Sequence, residues 1–283
     1  MPLLRIVQSK QNSRVKELRR ALANPSREKG SLAGIEGPNL LFEAMRAGLR
    51  IPCVFASEGS EALLEKLELP ADTEVLILSQ DVLRSALTTE TPQPIAALVE
   101  PPDWTWHDIL KGRSDGMDTT DPLVLVLSGL QDPGNLGTIV RSAEAFGAHG
   151  VLSLPGTVSP WNPKAVRASA GSIFRVPVLA GKTKESIDRL RESGLKIYAA
   201  TARAAQPVDL VNLGGPVALL IGNEGNGVPA DLAAQADGAI TIPCPGPVES
   251  LNAAVAASVL LYEASRQRLM QSGGPLIPRG GSR

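Results

Sequence analysis

Apolar positions along the chain follow two spacings, one typical of buried strands and the other of amphipathic helices. Leu123–Leu127 and Val217–Ile221 are unbroken apolar runs, as expected for parallel strands buried on both faces. Segments such as 183–193 instead carry apolar residues at every third or fourth position, which predicts helices. Because strands and helices alternate from residue 123 onward, we predict an α/β domain with a mostly parallel sheet covered by helices. The other strands predicted in this region are 150–154, 195–200 and 239–242, and the other helices are 135–146, 229–236, 251–270 and a segment near 163–170.

The first hundred residues predict a second, smaller α/β domain. Its first helix is predicted at 12–22 and is basic on one face and apolar on the other. The basic residues are Arg14, Lys16, Arg19 and Arg20. The remaining predicted elements are strands at 31–35, 51–55, 75–78 and 95–99, a helix at 38–47, and helices near 60–68 and 79–87.

Residues 103–122 differ in composition from the segments on either side. They follow Pro101 and Pro102, are rich in Asp, Gly and Thr, and show little periodicity, which predicts a linker. Trp104 and Trp106 within it are expected to pack on one of the domains. The predicted boundaries are therefore 1–102 for the smaller domain and 123–271 for the larger one, with a disordered tail over 272–283.

Composition narrows the class of protein. With 283 residues, of which 43% are apolar and 20% charged, the chain resembles folded rather than disordered proteins. The sequence shows neither an apolar run of the roughly 18 residues that cross a membrane nor a secretory signal. Cys53 and Cys244 are far apart and outside any CxxC spacing, which excludes a disulfide framework and a cysteine-rich zinc site. We therefore expect a cytoplasmic protein without a metal site.

The charge of the chain is unevenly distributed. The net charge of −1 taken alone argues against a nucleic-acid partner, but it is the sum of +6 over residues 1–50, −10 over 51–122 and +3 over 123–283. Such asymmetry can mark a nucleic-acid surface, whereas the alternative is a set of ordinary solvated helix faces. If RNA binds, we expect the acidic stretch to face away from it.

The first polar cluster with side chains suited to binding or catalysis is Q-D-P-G-N-L-G-T-I-V-R at 131–141. It follows a buried strand and opens a helix that Asn135 is suited to cap. Arg141 lies six residues later, about one and two-thirds turns, and so need not share a face with Asn135. The alternative is a capped helix that carries a surface arginine.

Two further clusters follow strands 217–221 and 239–242. In L-I-G-N-E-G-N-G at 220–227, three glycines let backbone amides approach a ligand, but the spacing is neither that of a P-loop nor GxGxxG. Glu224 there disfavours an anionic phosphate; the alternative is an ordinary strand-to-helix turn. The third cluster, I-P-C-P-G-P-V-E-S-L-N at 242–252, is a stiff loop that enters a long helix. Ser250 or Asn252 is suited to cap this helix, and the loop carbonyls are suited to hold an adenine edge.

Together, N-L-G-x-x-x-R at 135–141, I-G-N-E-G-x-G at 221–227 and I-P-x-x-G-x-x-x-S-L-N at 242–252 resemble the three motifs of the SpoU (TrmH) family of RNA ribose 2′-O-methyltransferases. The resemblance covers residues 123–270. It implies the SPOUT fold, in which the parallel sheet ends in a deep trefoil knot. The first hundred residues resemble, less specifically, the family's ribosomal-protein-like RNA-binding domain, through Asn12, Val15, Lys16 and the pair Glu36-Gly37.

The resemblance implies S-adenosylmethionine as cofactor and a homodimer whose active site is completed across the interface. Carried over by position, the cofactor-binding residues are Gly222, Ile242 and Leu251, largely through backbone groups, together with Thr201. The sequence departs from the family where Cys244 replaces a common methionine and where Pro245 and Pro247 stiffen the loop. These departures leave every motif residue in place and bear on cofactor affinity.

The same resemblance assigns the catalytic residues. Arg141 matches the arginine proposed to activate the ribose hydroxyl. Because arginine is a poor base, with a pKa above about 12, its role requires either a depressed pKa or electrostatic stabilisation of the forming alkoxide. Asn135 is expected to orient the ribose, Glu224 to hold Arg141 or Asn135, and Ser250 and Asn252 to bind the target nucleotide. His149, outside the motifs, is expected at the surface.

A 2′-hydroxyl target requires RNA as substrate, and the N-terminal domain favours ribosomal over transfer RNA. The basic residues of helix 12–22, with Lys164 and Arg167 in a loop, are candidates for phosphate contacts. Because aromatic residues make up only 3% of the chain, no base-stacking platform is expected. The alternatives are a transfer RNA methyltransferase, a non-catalytic RNA-binding protein that retains the fold, and an unrelated nucleotide-binding enzyme. The last would need a phosphate loop.

Overall fold

A computed structural model describes residues 3–25, 30–111, 121–202 and 206–273. The chain divides into two compact units. The first contains the residues up to Asp103 together with Ser159–Arg175, and the second contains Trp104–Val158 and the residues from Val176 onward. The sequence predicts Ser159–Arg175 as part of the larger domain, because it lies between two of that domain's strands. It nevertheless packs with the smaller unit.

The first unit is built on a five-stranded mixed sheet in the order β1-β4-β3-β5-β2. β1, β3 and β4 are parallel, whereas β5 runs antiparallel to β3 and β2. The four predicted strands and four predicted helices of this region are confirmed, with ends shifted by a few residues. The strands are β1 (Leu3–Val7), β2 (Ala33–Glu36), β3 (Cys53–Ser57), β4 (Glu74–Leu78) and β5 (Ile95–Val99), and the helices are α1 (Ser13–Ala23), α2 (Pro38–Arg46), α3 (Glu61–Glu65) and α4 (Gln80–Arg84).

The edge strand β1 was missed by the sequence pattern. Its Leu4 and Ile6 are exposed, so the strand lacks the buried apolar alternation on which the prediction depends. Helix α1, in contrast, follows its pattern closely. The side chain of Asn12 caps it by accepting hydrogen bonds from the backbone of Arg14 and Val15, and its apolar face packs against the sheet.

The second unit is built on a seven-stranded sheet in the order β10-β12-β9-β11-β6-β7-β8, in which every pairing is parallel. The predicted parallel sheet is thereby confirmed; the short edge strands β8 and β10 were not predicted. The strands are β6 (Leu123–Leu127), β7 (Gly150–Ser153), β8 (Val178–Ala180), β9 (Lys196–Ala200), β10 (Gln206–Pro207), β11 (Val217–Ile221) and β12 (Gly238–Thr241). The helices are α5 (Trp106–Lys111), α6 (Pro133–Ala145), α7 (Pro163–Ala168, which belongs to the first unit), α8 (Thr183–Glu192), α9 (Ala230–Ala233) and α10 (Ala253–Gln271).

The predicted linker 103–122 contains helix α5, which packs into the second unit. Ile109 is fully buried, and the guanidinium of Arg189 lies 5.1 Å from the ring centroid of Trp106. A helix of six residues is too short to show a period in the sequence, which explains the error. Residues 112–120 of the predicted linker lie outside the described residues, as does the predicted tail apart from Ser272 and Gly273.

His149 is buried, so its predicted surface position is wrong. Its Nδ1 accepts a hydrogen bond from the backbone N–H of Leu123 at 3.1 Å. His149 therefore links the amino-terminal ends of β6 and β7. Within the described ranges, no helix is both long and apolar enough to cross a membrane.

Candidate active site

The three polar clusters meet at one edge of the second unit's sheet. β11 pairs with β6 on one side and with β9 on the other, and β12 pairs with β9. Because all four strands are parallel, the segments that follow them leave the sheet at the same edge. This edge is where open parallel sheets bind their ligands.

A chain of hydrogen bonds connects one residue from each cluster. The Nδ2 of Asn135 donates to Oε1 of Glu224 at 3.0 Å, and the Nδ2 of Asn252 donates to Oδ1 of Asn135 at 3.1 Å. Since a carboxylate only accepts hydrogen bonds, Glu224 determines which way the amide of Asn135 points, and Asn135 in turn orients Asn252. The predicted contact between Glu224 and Asn135 is thus present.

Glu224 also holds the loop before α6. Its carboxylate accepts hydrogen bonds from the backbone N–H of Asp132 at 3.2 Å and of Gln131 at 3.4 Å. Burial raises the pKa of the Glu224 carboxyl, but the hydrogen bonds from Asn135 and from these backbone groups outweigh burial and lower the pKa below its ordinary value. Glu224 is therefore an anion at neutral pH and acts as the fixed acceptor of the cluster.

The helix caps explain why Asn135 is available for this network. α6 begins at Pro133 and is capped by Asp132, whose side chain accepts from Gly134 N–H, so the predicted cap at Asn135 is wrong. Asn135 lies in the first turn and directs its amide to Glu224. Asn252 caps α10 as predicted, because its Oδ1 accepts from Ala254 and Val255 while its Nδ2 remains for Asn135.

Arg141 stands apart from this network. It is exposed and makes no hydrogen bond or ion pair with any residue that the structure describes. The alternative that Glu224 holds Arg141 is therefore not observed. α6 runs parallel to α10, with Ser142 and Ser258 hydrogen-bonded at 2.7 Å. Arg141 lies next to this seam, on the exposed side of α6.

The loop after β11 is a tight turn that requires glycine at 222. Asn223 and Gly227 exchange both backbone hydrogen bonds, at 3.0 and 2.9 Å. A Cβ at Gly222 would overlap the backbone of Gly227 and Val228. Asn223, to which the sequence assigns no role, stabilises the turn through its side chain. Its Oδ1 accepts from Gly225 N–H and its Nδ2 donates to the carbonyl of Gly129 at 2.8 Å.

The predicted cofactor residues lie along the same sheet edge. Thr201, Gly222 and Ile242 immediately follow β9, β11 and β12, three strands that are adjacent in the sheet. Ile242 and Leu251 are half-buried, whereas the loop between them, including Ser250, is exposed. The backbone N–H of Thr201 donates to the carbonyl of Ile240 at 3.0 Å, so this N–H is already used within the protein.

The basic residues of α1 divide into two kinds. Arg14 forms ion pairs with Glu17 at 2.9 Å and Glu74 at 3.1 Å, and Arg19 donates to the carbonyl and hydroxyl of Ser85. These two arginines therefore hold α1 to its own unit. Lys16 and Arg20 are exposed. Lys164 and Arg167 are also exposed, on helix α7 rather than in the predicted loop.

Comparison with protein families finds two matches that together cover most of the chain. The SpoU rRNA Methylase family matches residues 122–262. The MRM3-like substrate binding domain matches residues 12–97. The two ranges fall on the two predicted domains, and the first contains all three polar clusters.

Individual relatives show the same similarity over nearly the full length. The chain is 32% identical to the 23S rRNA (guanosine(2553)-2′-O)-methyltransferase RlmP of Bacillus subtilis, over 90% of this chain and 97% of RlmP. It resembles an AdoMet-bound rRNA methyltransferase from Sinorhizobium meliloti with a TM-score of 0.79 and 28% identity, over 93% of this chain and 98% of that one. The SpoU methyltransferase AviRb from Streptomyces viridochromogenes, in complex with AdoMet, matches with a TM-score of 0.78 and 28% identity, over 94% and 100% of the respective chains.

Proposed function

Since this chain belongs to the SpoU rRNA methylase family, we propose that it transfers a methyl group from S-adenosylmethionine to a ribose 2′-hydroxyl of ribosomal RNA. The observation that carries the proposal is the network in which Glu224, Asn135 and Asn252 join the three family motifs at the carboxyl edge of the sheet. A non-catalytic protein would not need this network together with Arg141, which bonds to no residue in the part of the chain that the structure describes.

The site suits S-adenosylmethionine. When bound, this cofactor supplies an activated methyl group on a positively charged sulfonium. The Gly222 turn presents backbone where no side chain has room, and the nearby Glu224 carboxylate suits a cationic rather than a phosphate-bearing ligand. We assign Thr201, Gly222, Ile242 and Leu251 to hold it.

The side chains at the edge have complementary roles in this proposal. Arg141 stabilises the negative charge that develops on the ribose 2′-oxygen, because a guanidinium that bonds to none of the described residues can direct its donors to the substrate. Asn135 orients the ribose, and Glu224 keeps the Asn135 amide in one orientation. Ser250 and Asn252 bind the target nucleotide, Ser250 from the exposed loop and Asn252 from the helix cap.

We propose that the enzyme acts as a homodimer through α10. Along this helix runs an exposed apolar stripe of Val255, Val259 and Tyr262. The helix packs against α6, next to the face of α6 that exposes Arg141. A second copy that covers the stripe removes the apolar surface from water. The same contact brings Arg141 next to the partner's site, which accounts for its separation from Glu224.

Val259→Glu is expected to convert the dimer to a monomer and to abolish methyl transfer, because it places a charge in the apolar contact. Light scattering measures the mass, and labelled cofactor measures the activity. Val259→Ala, which keeps the position apolar, is the control and should remain dimeric. A Val259→Glu protein that is fully dimeric would contradict the interface.

Only the exposed basic residues of α1 are expected to contribute to RNA binding. Replacing Lys16 and Arg20 together with alanine should weaken RNA binding and reduce the slope of log affinity against log salt by about 1 to 2, since each lost phosphate contact lowers it by about 1. Replacing Arg14 and Arg19 should instead lower the melting temperature and leave the slope unchanged. Equal effects of the two pairs on the slope would refute this division.

Two further features follow from family membership. We propose the trefoil knot from family membership, and it is supported by the contact of Asn252, which follows β12, with Asn135, which follows β6, although β9 and β11 lie between these two strands in the sheet. We also propose that the enzyme works in the cytoplasm, where bacterial ribosomal RNA is found.

The function itself is tested by incubating the protein with labelled S-adenosylmethionine and unmodified ribosomal RNA, and separately with transfer RNA, and then mapping the 2′-O-methyl groups. We expect a single modified ribose in ribosomal RNA. Methylation of transfer RNA alone would show that transfer RNA is the substrate, and no methylation of either RNA would favour a non-catalytic protein.

A further inference from the structure

The unit that contains the substrate-binding match exposes an aromatic ring on helix α2. Phe42 is 51% exposed. The chain has nine aromatic residues, all within the described ranges, and only Phe42 and Tyr262 are exposed. Tyr262 packs edge-on against Phe146 on the dimer-forming side proposed above. Phe42 has no such explanation.

The exposed neighbours of Phe42 on α2 belong to residue types that commonly contact nucleic acids. Asn39, Phe42 and Arg46 are all exposed and are spaced by three and four residues, so they share one face of the helix. The guanidinium of Arg46 lies 5.8 Å from the centroid of the Phe42 ring, within the range of a cation–π contact. A ring, a guanidinium and an amide therefore stand together on this surface.

Two arginines and one glutamate lie beside Phe42 in this unit. Glu43, the acidic residue of α2, forms ion pairs with both Arg46 at 3.2 Å and Arg175 at 2.5 Å, so two guanidinium groups surround one carboxylate. Gly171 also lies directly against the Glu43 side chain, since a Cβ there would be 2.6 Å from the Cβ of Glu43. The segment that follows α7 thus packs against α2, and α7 exposes Lys164 and Arg167 within the same unit.

We propose that Phe42 is a stacking platform for one unpaired base of the RNA substrate, while Arg46 contacts an adjacent phosphate. The proposal rests on the proposed function, which makes RNA the partner of this unit. Unpaired bases are held in proteins by stacking on aromatic rings, and a positively charged border holds the backbone beside them. Asn39 offers both a donor and an acceptor to the edge of the stacked base. A low aromatic content does not preclude this role, because one exposed ring suffices for one base.

The test compares Phe42→Ala, Phe42→Tyr and the control Ile6→Ala, which removes an exposed apolar side chain from β1 in the same unit. Affinity for an unmodified ribosomal RNA transcript is measured at several salt concentrations. Phe42→Ala should weaken binding about 5- to 100-fold, because stacking is worth about that much per base, and should leave the salt slope unchanged. Phe42→Tyr and Ile6→Ala should bind like the unaltered protein.

Three results would overturn the stacking role: Phe42→Ala binding within twofold of the unaltered protein, a reduced salt slope in that variant, or a matching loss in Ile6→Ala. Unchanged affinity would indicate that Phe42 instead contacts a protein of the assembled ribosomal particle. A reduced salt slope would indicate that a phosphate contact had been lost. Failure of the proposed function is recognised separately, because the unaltered protein would then transfer no methyl group to the same transcript.

Discussion

Arg141→Ala is expected to lower the rate of methyl transfer by about 100- to 1000-fold, the usual cost of removing a group that stabilises a developing oxyanion. Because Arg141 is exposed and bonds to none of the described residues, its removal should change neither the melting temperature nor the affinity for S-adenosylmethionine. Single-turnover methylation of ribosomal RNA gives the rate, and calorimetric titration gives the cofactor affinity.

Two variants control for this effect. Thr138→Ala changes an exposed residue about one turn earlier on α6, outside the proposed machinery, and should stay within about threefold of normal activity. Arg141→Lys keeps the charge but loses the planar array of donors, so its rate should fall between those of the alanine variant and the unaltered enzyme. Normal turnover by Arg141→Ala would remove Arg141 from the mechanism.

Gly222→Ala is expected to disrupt the turn after β11 and with it cofactor binding. The new Cβ would overlap backbone atoms of Gly227 and Val228, which cannot move aside as a flexible side chain can. Overpacking of this kind costs about 2 to 3 kcal/mol or more, so the melting temperature should fall by roughly 5 to 10 °C. Affinity for S-adenosylmethionine should fall at least tenfold, since Gly222 begins the turn that presents the backbone to it.

Gly225→Ala is the matched control within the same turn. A Cβ at Gly225 would meet only the side chain of Asn223 at 3.5 Å, an ordinary contact, and its backbone lies outside the left-handed region that favours glycine. This variant should keep the melting temperature within about 2 °C of the unaltered protein. Equal loss of stability in both variants would show that glycine flexibility, rather than the close approach at Gly222, maintains the turn.

The elements with a clear local apolar pattern could be predicted from the sequence alone. The apolar runs of β6 and β11 and the amphipathic pattern of α1 encode burial within a few consecutive residues, so no knowledge of distant neighbours is needed. The resemblance of the three motifs to the SpoU family likewise predicted Asn135, Glu224 and Asn252 as members of one site, and hydrogen bonds join these residues in the structure.

Short or edge elements and the roles of single polar residues depended on tertiary contacts. α5 and β1 carry too few turns or buried positions to show a period. Asp132 rather than Asn135 caps α6, so the Asn135 amide can donate to Glu224, which lies 89 residues away in sequence. Arg14 and Arg19 resemble Lys16 and Arg20 in sequence, but within the described ranges only the first two find acceptors, on Glu74 and Ser85.

The sequence by itself therefore determined the fold class and the order of the main elements, because these depend on local periodicity, and its resemblance to the SpoU family predicted which polar residues share the sheet edge. The tertiary structure alone decided which charged groups remain available to a substrate, that His149 is buried, and that Ser159–Arg175 packs with the first unit. The physical reason is that a side chain's hydrogen-bond partner and burial are set by groups brought close through packing, and their sequence separation carries no local signal.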